Sequence, residues 1–486
     1  MMFVSTEWRS NDKTGQSNIR GEKMSNIETS HHVKMIFQAE EGSLSGGYIS
    51  TSLSGFSGKG YVTGLLNEGD SLEVKADIPN DGQYKLLIRL ASMEGEKRNF
   101  LYIDGDCYGQ FISEKTDSFE ELEICTLFFT KGLHTIKIVK DWGGVDIDRF
   151  MITSTTPTNH YTPTFQLVNK DSSAGAKKLM NFFREIYGQK IITGQHTAAA
   201  HGPELDHIKK VTGKLPALRG FDLLSYSFMT DTDEPTDHKL IEIEENKGSI
   251  ESAIEWSTRF NGIVTFCWHW YAPTGGKDKT FYTENTQFDL NKALIPGTTE
   301  YEALLSDMDE IALQLKKLKD ANVPVLWRPL HEADGGWFWW GASGPETYKS
   351  LYKWMFERFT KEHQLNNLIW VWNAPNKEWY PGDDYVDIAG VDTYVPNGEY
   401  GPLKCQFDHL QALINNQKPI ALTENGPIPD PEKLIKSRTP WLWYMPWYGD
   451  FVFNGLSTSE EQLKKVYDHP YCLTLEDLQS VSLKES

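Results

Sequence analysis

Eight times between residues 190 and 447 a short apolar run alternates with a helical pattern, and this rhythm restricts the fold more than any other feature. The runs are KIITGQH (190–196), LPALRGFD (215–222), GIVTFCWHW (262–270), VPVLWRPLHE (323–332), NLIWVWN (367–373), VDIAGVDTY (386–394), PIALTEN (419–425) and WLWYMPW (441–447). Helix candidates such as GSIESAIEWSTRF, EYEALLSDMDEIALQLKKLKDA and ETYKSLYKWMFERFTKEH lie between them. Strand–helix alternation calls for a parallel sheet. Eight repeats over roughly 320 residues call for its closure into a (β/α)8 barrel. A doubly wound open sheet usually has fewer strands and a glycine-rich first turn, and KIITGQH carries no G-x-G-x-x-G.

The chain of 486 residues is long enough for a second core. Residues 1–34 are polar and aperiodic and read as a flexible leader. From 35 to 153 short runs such as SLEVKADI, GQYKLLIRLA, NFLYIDG, CTLFFTKG and LHTIKIVK alternate with turn signals, which predicts an antiparallel β-sandwich. STTPTNHYTPT (154–164) reads as a linker, leaving 165–486 for the barrel. Each domain is expected to carry its own core.

A net charge of −20, spread along the chain, disfavours nucleic acid and anionic membranes as partners. It is compatible with a neutral ligand, and 16 tryptophans offer flat apolar platforms for sugar rings. No run of about 18 apolar residues exists to span a membrane. The start, MMFVSTEWRSNDKTGQ, has too short an apolar run for a visible secretory signal. Cys107, Cys125, Cys267, Cys405 and Cys472 show no metal-ligand spacing; Cys107 and Cys125 would pair if their strands were neighbours.

A barrel of this kind builds its active site at the C-terminal ends of the strands. The polar residues there are His196, Asp222, His269, Arg328, His331, Glu332, Asn373, Asp392, Tyr394 and Glu424, with Trp447 ending the eighth run. Two are carboxylates led in by apolar strands, Glu332 in RPLHE and Glu424 in ALTEN. Breaking a glycosidic bond needs an acid for the leaving oxygen and a carboxylate at the oxocarbenium carbon. The competing reading of either glutamate is an ion pair, for instance with Arg328. Arg328 and Tyr394 would keep Glu424 ionised, and that charge would push Glu332 toward its protonated form. Trp337, Phe338, Trp339 and Trp340 crowd the same loop, either stacking on sugar or packing beneath it, and Gly335 and Gly336 let it turn.

WRPLHEADGGWFWWG (327–341), VDTY and ALTENG resemble the motifs on strands 4, 6 and 7 of glycoside hydrolase family 26, whose best-known members are β-mannanases. FYTENTQFDLNKAL (281–294) resembles a segment that follows strand 3 in that family, and the likeness covers about 165–470. It implies a retaining mechanism with Glu332 as acid/base and Glu424 as nucleophile. It also implies that His331 precedes the acid/base, Trp337 walls the central subsite and Tyr394 hydrogen-bonds the nucleophile. His269 in CWHW and Trp447 in PWYGDF are further matches, completing with Arg328 the expected substrate contacts.

FQAEEGSLSGG, GFSGKGYVTGL, DGQYKLLIRLA and GGVDIDRFMI resemble a carbohydrate-binding module of the family 35 or family 6 type. That likeness implies a structural calcium, with Gln38, Glu40 and Asp148 as matching oxygen donors. It places Trp142, in DWGGVD, where such modules bind sugar; a cap on the core is the other reading. The expectation is therefore a monomeric, extracellular endo-β-1,4-mannanase acting on plant β-mannan without a catalytic cofactor. Action on β-1,3-xylan or mixed-linkage β-glucan, or exo-acting release of mannobiose, stays open. A non-catalytic polysaccharide-binding protein would lack one of the glutamates, and both are present.

Overall fold

A computed structural model describes residues 33–156, 161–198, 202–227, 237–275 and 279–481. All but the end of the expected leader lies outside these residues. The N-terminal strands are β1 (Lys34–Gln38), β2 (Ser43–Ser45), β3 (Tyr48–Ser50), β4 (Tyr61–Thr63), β5 (Ser71–Ile78), β6 (Gly82–Ala91), β7 (Lys97–Ile103), β8 (Asp106–Ser113), β9 (Glu120–Phe129), β10 (Gly132–Trp142) and β11 (Asp146–Thr155). They form two antiparallel sheets. One has the order β3-β4-β11-β6-β9 with β1 also on β11, the other β2-β5-β10-β7-β8. Alternate residues such as Leu86, Ile88 and Leu90 of one sheet and Leu101, Ile136 and Ile138 of the other fill the space between. β11 continues to Thr155, two residues into the stretch read as linker.

The remaining strands are β12 (Ile191–His196), β13 (Leu218–Asp222), β14 (Ile263–Cys267), β15 (Val325–Arg328), β16 (Leu368–Trp372), β17 (Ile388–Thr393), β18 (Ile420–Asn425) and β19 (Trp443–Tyr444). They pair in parallel in the order β18-β17-β16-β15-β14-β13-β12-β19. A parallel bridge between Asn425 and Pro446 and the bond from Leu442 N to Ile420 O (2.8 Å) close the ring. This is the expected (β/α)8 barrel, each strand falling inside its apolar run. Ile192, Leu218, Ile263, Leu326, Ile369, Ile388, Ala421 and Leu442 share one core with the helix Ala174–Ile186. That helix lies under the N-terminal strand ends, Gly175 beside Pro324 and Ser173 N donating to Asn366 O. The opposite rim is thereby left as the open end.

Each domain has its own core, as expected, and a few side chains cross between them. Phe100 and Cys107 of the sandwich belong to the barrel's apolar cluster, and Cys405 of the barrel belongs to the sandwich's. Thr126 N donates to Asp408 (2.9 Å) and Lys433 to Asp106 (2.7 Å). The backbones come so close that a Cβ on Gly401 would fall 1.5 Å from the Cys107 carbonyl oxygen. The pairing considered for Cys107 and Cys125 does not occur. β8 and β9 lie in different sheets, and all five thiols are free and buried. Cys125 instead lies beside Cys405, across the domain boundary.

Candidate active site

Arg328, the last residue of β15, is 1% exposed, and burying a guanidinium is tolerable only when its charge is met. It donates to Asp392 on β17 (2.7 Å) and, from its other nitrogen, to Glu424 on β18. Tyr394 Oη donates to the second oxygen of Glu424 (2.8 Å). Asn373 donates to Asp392 (2.6 Å), and Thr423 donates to the same Asp392 oxygen (2.7 Å). Both Glu424 oxygens are thus held by fixed donors.

Glu332 was expected to end its strand, but β15 stops at Arg328 and Glu332 lies four residues on. Pro329 has no N–H to continue the ladder, and Leu330 and Glu332 both take left-handed backbone (φ 53° and 54°). Such a conformation costs a non-glycine residue about 1–2 kcal/mol. It is held by Glu332 N donating to Asn373 O (2.8 Å) and by Trp340 Nε1 donating to His331 O (2.8 Å). The result folds the carboxyl back over the barrel mouth. One oxygen each from Glu332, Asp392 and Glu424 lie within 4.8 Å of one another.

Burial and the charges in this cluster raise the proton affinity of both glutamates. Burial, then the Asp392 and Glu424 carboxylates, raise the Glu332 pKa well above the ordinary carboxyl value. Burial and Asp392 also raise Glu424, to about 7, while Arg328, His269 and the Tyr394 hydrogen bond pull it down. Arg328 and Tyr394 thus favour the ionised Glu424, in the expected direction, against burial and Asp392. Arg328 and Tyr394 bond Glu424 directly, whereas Glu332 accepts only from Trp337, so this arrangement favours the shared proton on Glu332.

The aromatic side chains divide into wall and foundation. Trp337 is 44% exposed and its Nε1 donates to Glu332 (2.9 Å). Gly336 turns the loop at φ 73°, and a Cβ on Gly335 would meet the Trp337 ring at 2.0 Å. Trp339 and Trp340 are buried and spend their N–H groups on Trp270 O and His331 O, so they pack beneath the loop. Tyr282 stands beside Phe338, and Thr283 N donates to Trp337 O (2.7 Å), stitching segment 281–283 to the same wall. Trp447 lies three residues past the short β19, half-buried against His196 (ring centroids 4.1 Å apart) and edge-on to His269 (5.7 Å).

His269 and His331 join through their Nε2 atoms (3.2 Å). Burial disfavours a charged His269, but the Asp222 carboxylate 2.5 Å from its Nδ1 prevails and raises its pKa. Burial would raise Asp222 too, yet the His269 charge and hydrogen bonds hold it at about 2. His331, pushed well down by burial and by Arg328, stays neutral. Asp222, Cys267 and His269 have the spacing of metal ligands; Asp222 and His269 are paired with each other, and burial pushes the Cys267 thiol well up. The Glu332, Asp392 and Glu424 cluster already holds a cation in Arg328. Asp222 and Asp392 had been noted by position alone; their roles depend on partners far away in sequence.

Elsewhere, Gln38 and Glu40 converge with Asp148 on the turn at 57–59. Ser57 Oγ donates to Gln38 (3.0 Å), Lys59 N to Glu40 (2.6 Å) and Ser57 N to Asp148 (2.6 Å). Asp148 also pairs with Arg89 (2.6 Å), and Glu40 Oε2 is buried with no hydrogen-bond partner. Trp142 does not cap the core: it is 61% exposed, with Lys97 Nζ 6.0 Å from its ring centre. No helix among the described residues is long and apolar enough to cross a membrane.

Residues 168–477 match the family described as Glycosyl hydrolase family 26, and residues 35–155 match Carbohydrate binding module (family 35). The mannan endo-1,4-beta-mannosidase of Thermothelomyces thermophilus is 38% identical over 451 residues, 91% of this chain and 90% of that protein. Mannan endo-1,4-beta-mannosidase B of Piromyces sp is 34% identical, over 93% of this chain and 78% of its own length. Among solved structures, a Podospora anserina GH26-CBM35 beta-(1,4)-mannanase superposes with a TM-score of 0.63 at 37% identity, covering 92% of this chain and 99% of its own. A ruminal GH26 endo-beta-1,4-mannanase gives 0.67 at 27% identity, covering 91% and 98%.

Proposed function

The chain belongs to glycosyl hydrolase family 26 and is a glycoside hydrolase, and from that premise we propose that it is an endo-1,4-β-mannanase working by double displacement with retention. The carboxylate pair carries this reading. Glu332 and Glu424 bring oxygens within 4.8 Å, in keeping with the roughly 5–5.5 Å carboxyl separation of retaining enzymes. Seating the water of an inverting enzyme takes about 6.5–9.5 Å. The mannan specificity rests on the activity for which the relatives are named.

Glu424, with its oxygens aimed by Arg328 and Tyr394, attacks the anomeric carbon as nucleophile. The bond to the leaving oxygen breaks, and that oxygen takes the proton of Glu332. Once Glu424 is esterified its charge is gone, and Glu332, now ionised beside one carboxylate fewer, serves as base for water. Water then displaces Glu424, and the second inversion restores the starting configuration. Trp337 and Trp447 offer faces for sugar rings, and His269 offers a polar edge, braced from behind by Asp222 and the buried His331. The substrate is a plant β-mannan, galactomannan or glucomannan met outside the cell by a monomeric enzyme. A calcium ion fits at Gln38, Glu40 and Asp148, where the unpartnered Glu40 oxygen supplies an acceptor for a hard cation. No cofactor enters the chemistry.

Proton NMR of the first products from mannan is expected to show the β-anomer before mutarotation; initial α-anomer would overturn the mechanism. Glu332→Ala should accumulate a covalent intermediate on a mannoside with a good aryl leaving group. Added azide should then release a β-glycosyl azide, since a small anion needs no general base.

A further inference from the structure

Cross-strand partners in a sheet point to the same face. Phe100 pairs with Val139 and with Gln110, and Phe100, Tyr102 and Val139 pack on the barrel's core, so theirs is the barrel-facing side of the module. Along β10, simple alternation would turn Trp142 inward with Ile138. A bulge between Lys140 and Trp142 reverses this, setting Trp142 opposite Arg98, two residues from Phe100 and on its face. Gln110 and Asp141 lie on that face as well, joined by a 2.6 Å hydrogen bond.

Two polar contacts and one charge interaction show how β7 and its hairpin meet the barrel. At one end Asp106 meets Lys433, in the helix that follows β18 (2.7 Å). Midway, Tyr102 hydrogen-bonds Glu399, in the loop after β17. At the other end Arg98 acts on the Asp334 carboxyl, which burial raises to about 6 and Arg98 draws down. Asp334 is two residues from Glu332 and three from Trp337. The hairpin therefore packs on the helix Lys404–Leu413 that follows β17 and points its Arg98 end toward the rim loop after β15. Trp142, opposite Arg98, is therefore at the end of the sheet that faces the loop carrying Glu332.

We propose that the sandwich and the barrel form one continuous sugar-binding surface. Trp142, flanked by Arg98, Gln110 and Asp141, holds outlying sugars of the chain whose scissile bond lies at Glu332 and Glu424. An exposed indole gives the apolar face of a pyranose a platform. The guanidinium, amide and carboxylate around it supply donors and acceptors for hydroxyl groups. The module thus adds subsites to the catalytic cleft and is not a separate anchor. This rests on the mannanase reading above.

The test uses the full chain and soluble manno-oligosaccharides of increasing length. Trp142→Ala is expected to lower the ratio of kcat/KM on the longest to that on the shortest cleaved substrate by about tenfold, as losing a buried aromatic contact typically does. Trp142→Phe should restore part of it. A ratio equal to the parent's overturns the proposal, even if binding to insoluble mannan falls, because that pattern marks a detached anchor. If the parent cleaves no manno-oligosaccharide, the mannanase reading fails, and the same ratio is read on oligomers of whichever β-glycan it cleaves.

Discussion

Replacing Glu332 with glutamine should stabilise the folded protein, and only above the pH at which a free glutamate ionises. Glu332 faces the carboxylates of Asp392 and Glu424 and the single guanidinium of Arg328. The net result is one unit of negative charge within 4.8 Å of a Glu332 oxygen. At an effective dielectric of about 20 this repulsion is worth about 3 kcal/mol. Its sign follows from linkage. Glu332 binds its proton more tightly when folded than at its unfolded value of 4.5. Stability contributed by that proton is complete below the unfolded value and is lost as pH rises through the raised folded value. Glutamine keeps the shape and accepts the Trp337 hydrogen bond but has no proton to lose. Unfolding of roughly 450 residues carries an entropy near 1 kcal/mol/K, so about 3 kcal/mol appears as about 3 °C. Melting temperatures of parent and Glu332→Gln, measured from about pH 4 to pH 9, should coincide at the acid end and separate as pH rises. A variant no more stable at alkaline pH, or equally more stable at every pH, would refute the argument that burial and the neighbouring carboxylates raise Glu332.

Other outcomes follow from the same geometry. Tyr394→Phe removes a donor to Glu424. It should cost about 10–100-fold in kcat/KM and move the acid limb of the pH profile upward, because the nucleophile must be ionised and loses a group that lowers its pKa; an unmoved limb would separate Tyr394 from Glu424. Glu424→Ala should abolish turnover even on activated aryl glycosides, checked by leaving-group release, because no covalent route remains. Chelation of calcium should lower the melting temperature of the full chain by a few degrees, with recovery on adding the ion back; no change would remove the metal from Gln38, Glu40 and Asp148. A barrel cut free at residue 160 should aggregate, since it uncovers the surface around Cys405 that the sandwich now covers. The intact chain should show one calorimetric transition, and a soluble fragment with the parent's melting temperature would contradict this.

The barrel was legible because its buried parallel strands read as apolar runs separated by helices of ordinary periodicity. The two glutamates were legible because a charge at the end of such a run is costly and calls for a reason. The turn at Leu330 and Glu332 was not, since left-handed backbone in residues other than glycine leaves no compositional trace. Asp222 and Asp392 gained meaning only when folding brought His269 and Arg328 to them. The docking of the domains did leave a signal. In NFLYIDG, Phe100, Leu101, Tyr102 and Ile103 are apolar on both faces of a strand whose outer side would otherwise be polar. The bulge before Trp142, which decides where that ring points, has no such mark.

The close docking of the two domains has a consequence for how such an enzyme would travel. A catalytic domain hung from its anchor by slack chain can graze, cutting many bonds within reach while the anchor stays put. Here Phe100 is sunk into the barrel and Cys405 into the sandwich, so there is no tether length to explore. Grip and blade move as one body, and each new cut requires both to let go. Dwell time at one spot on a fibre then sets the pace, and a tighter grip would slow the enzyme on solid mannan while helping it on dilute soluble chains.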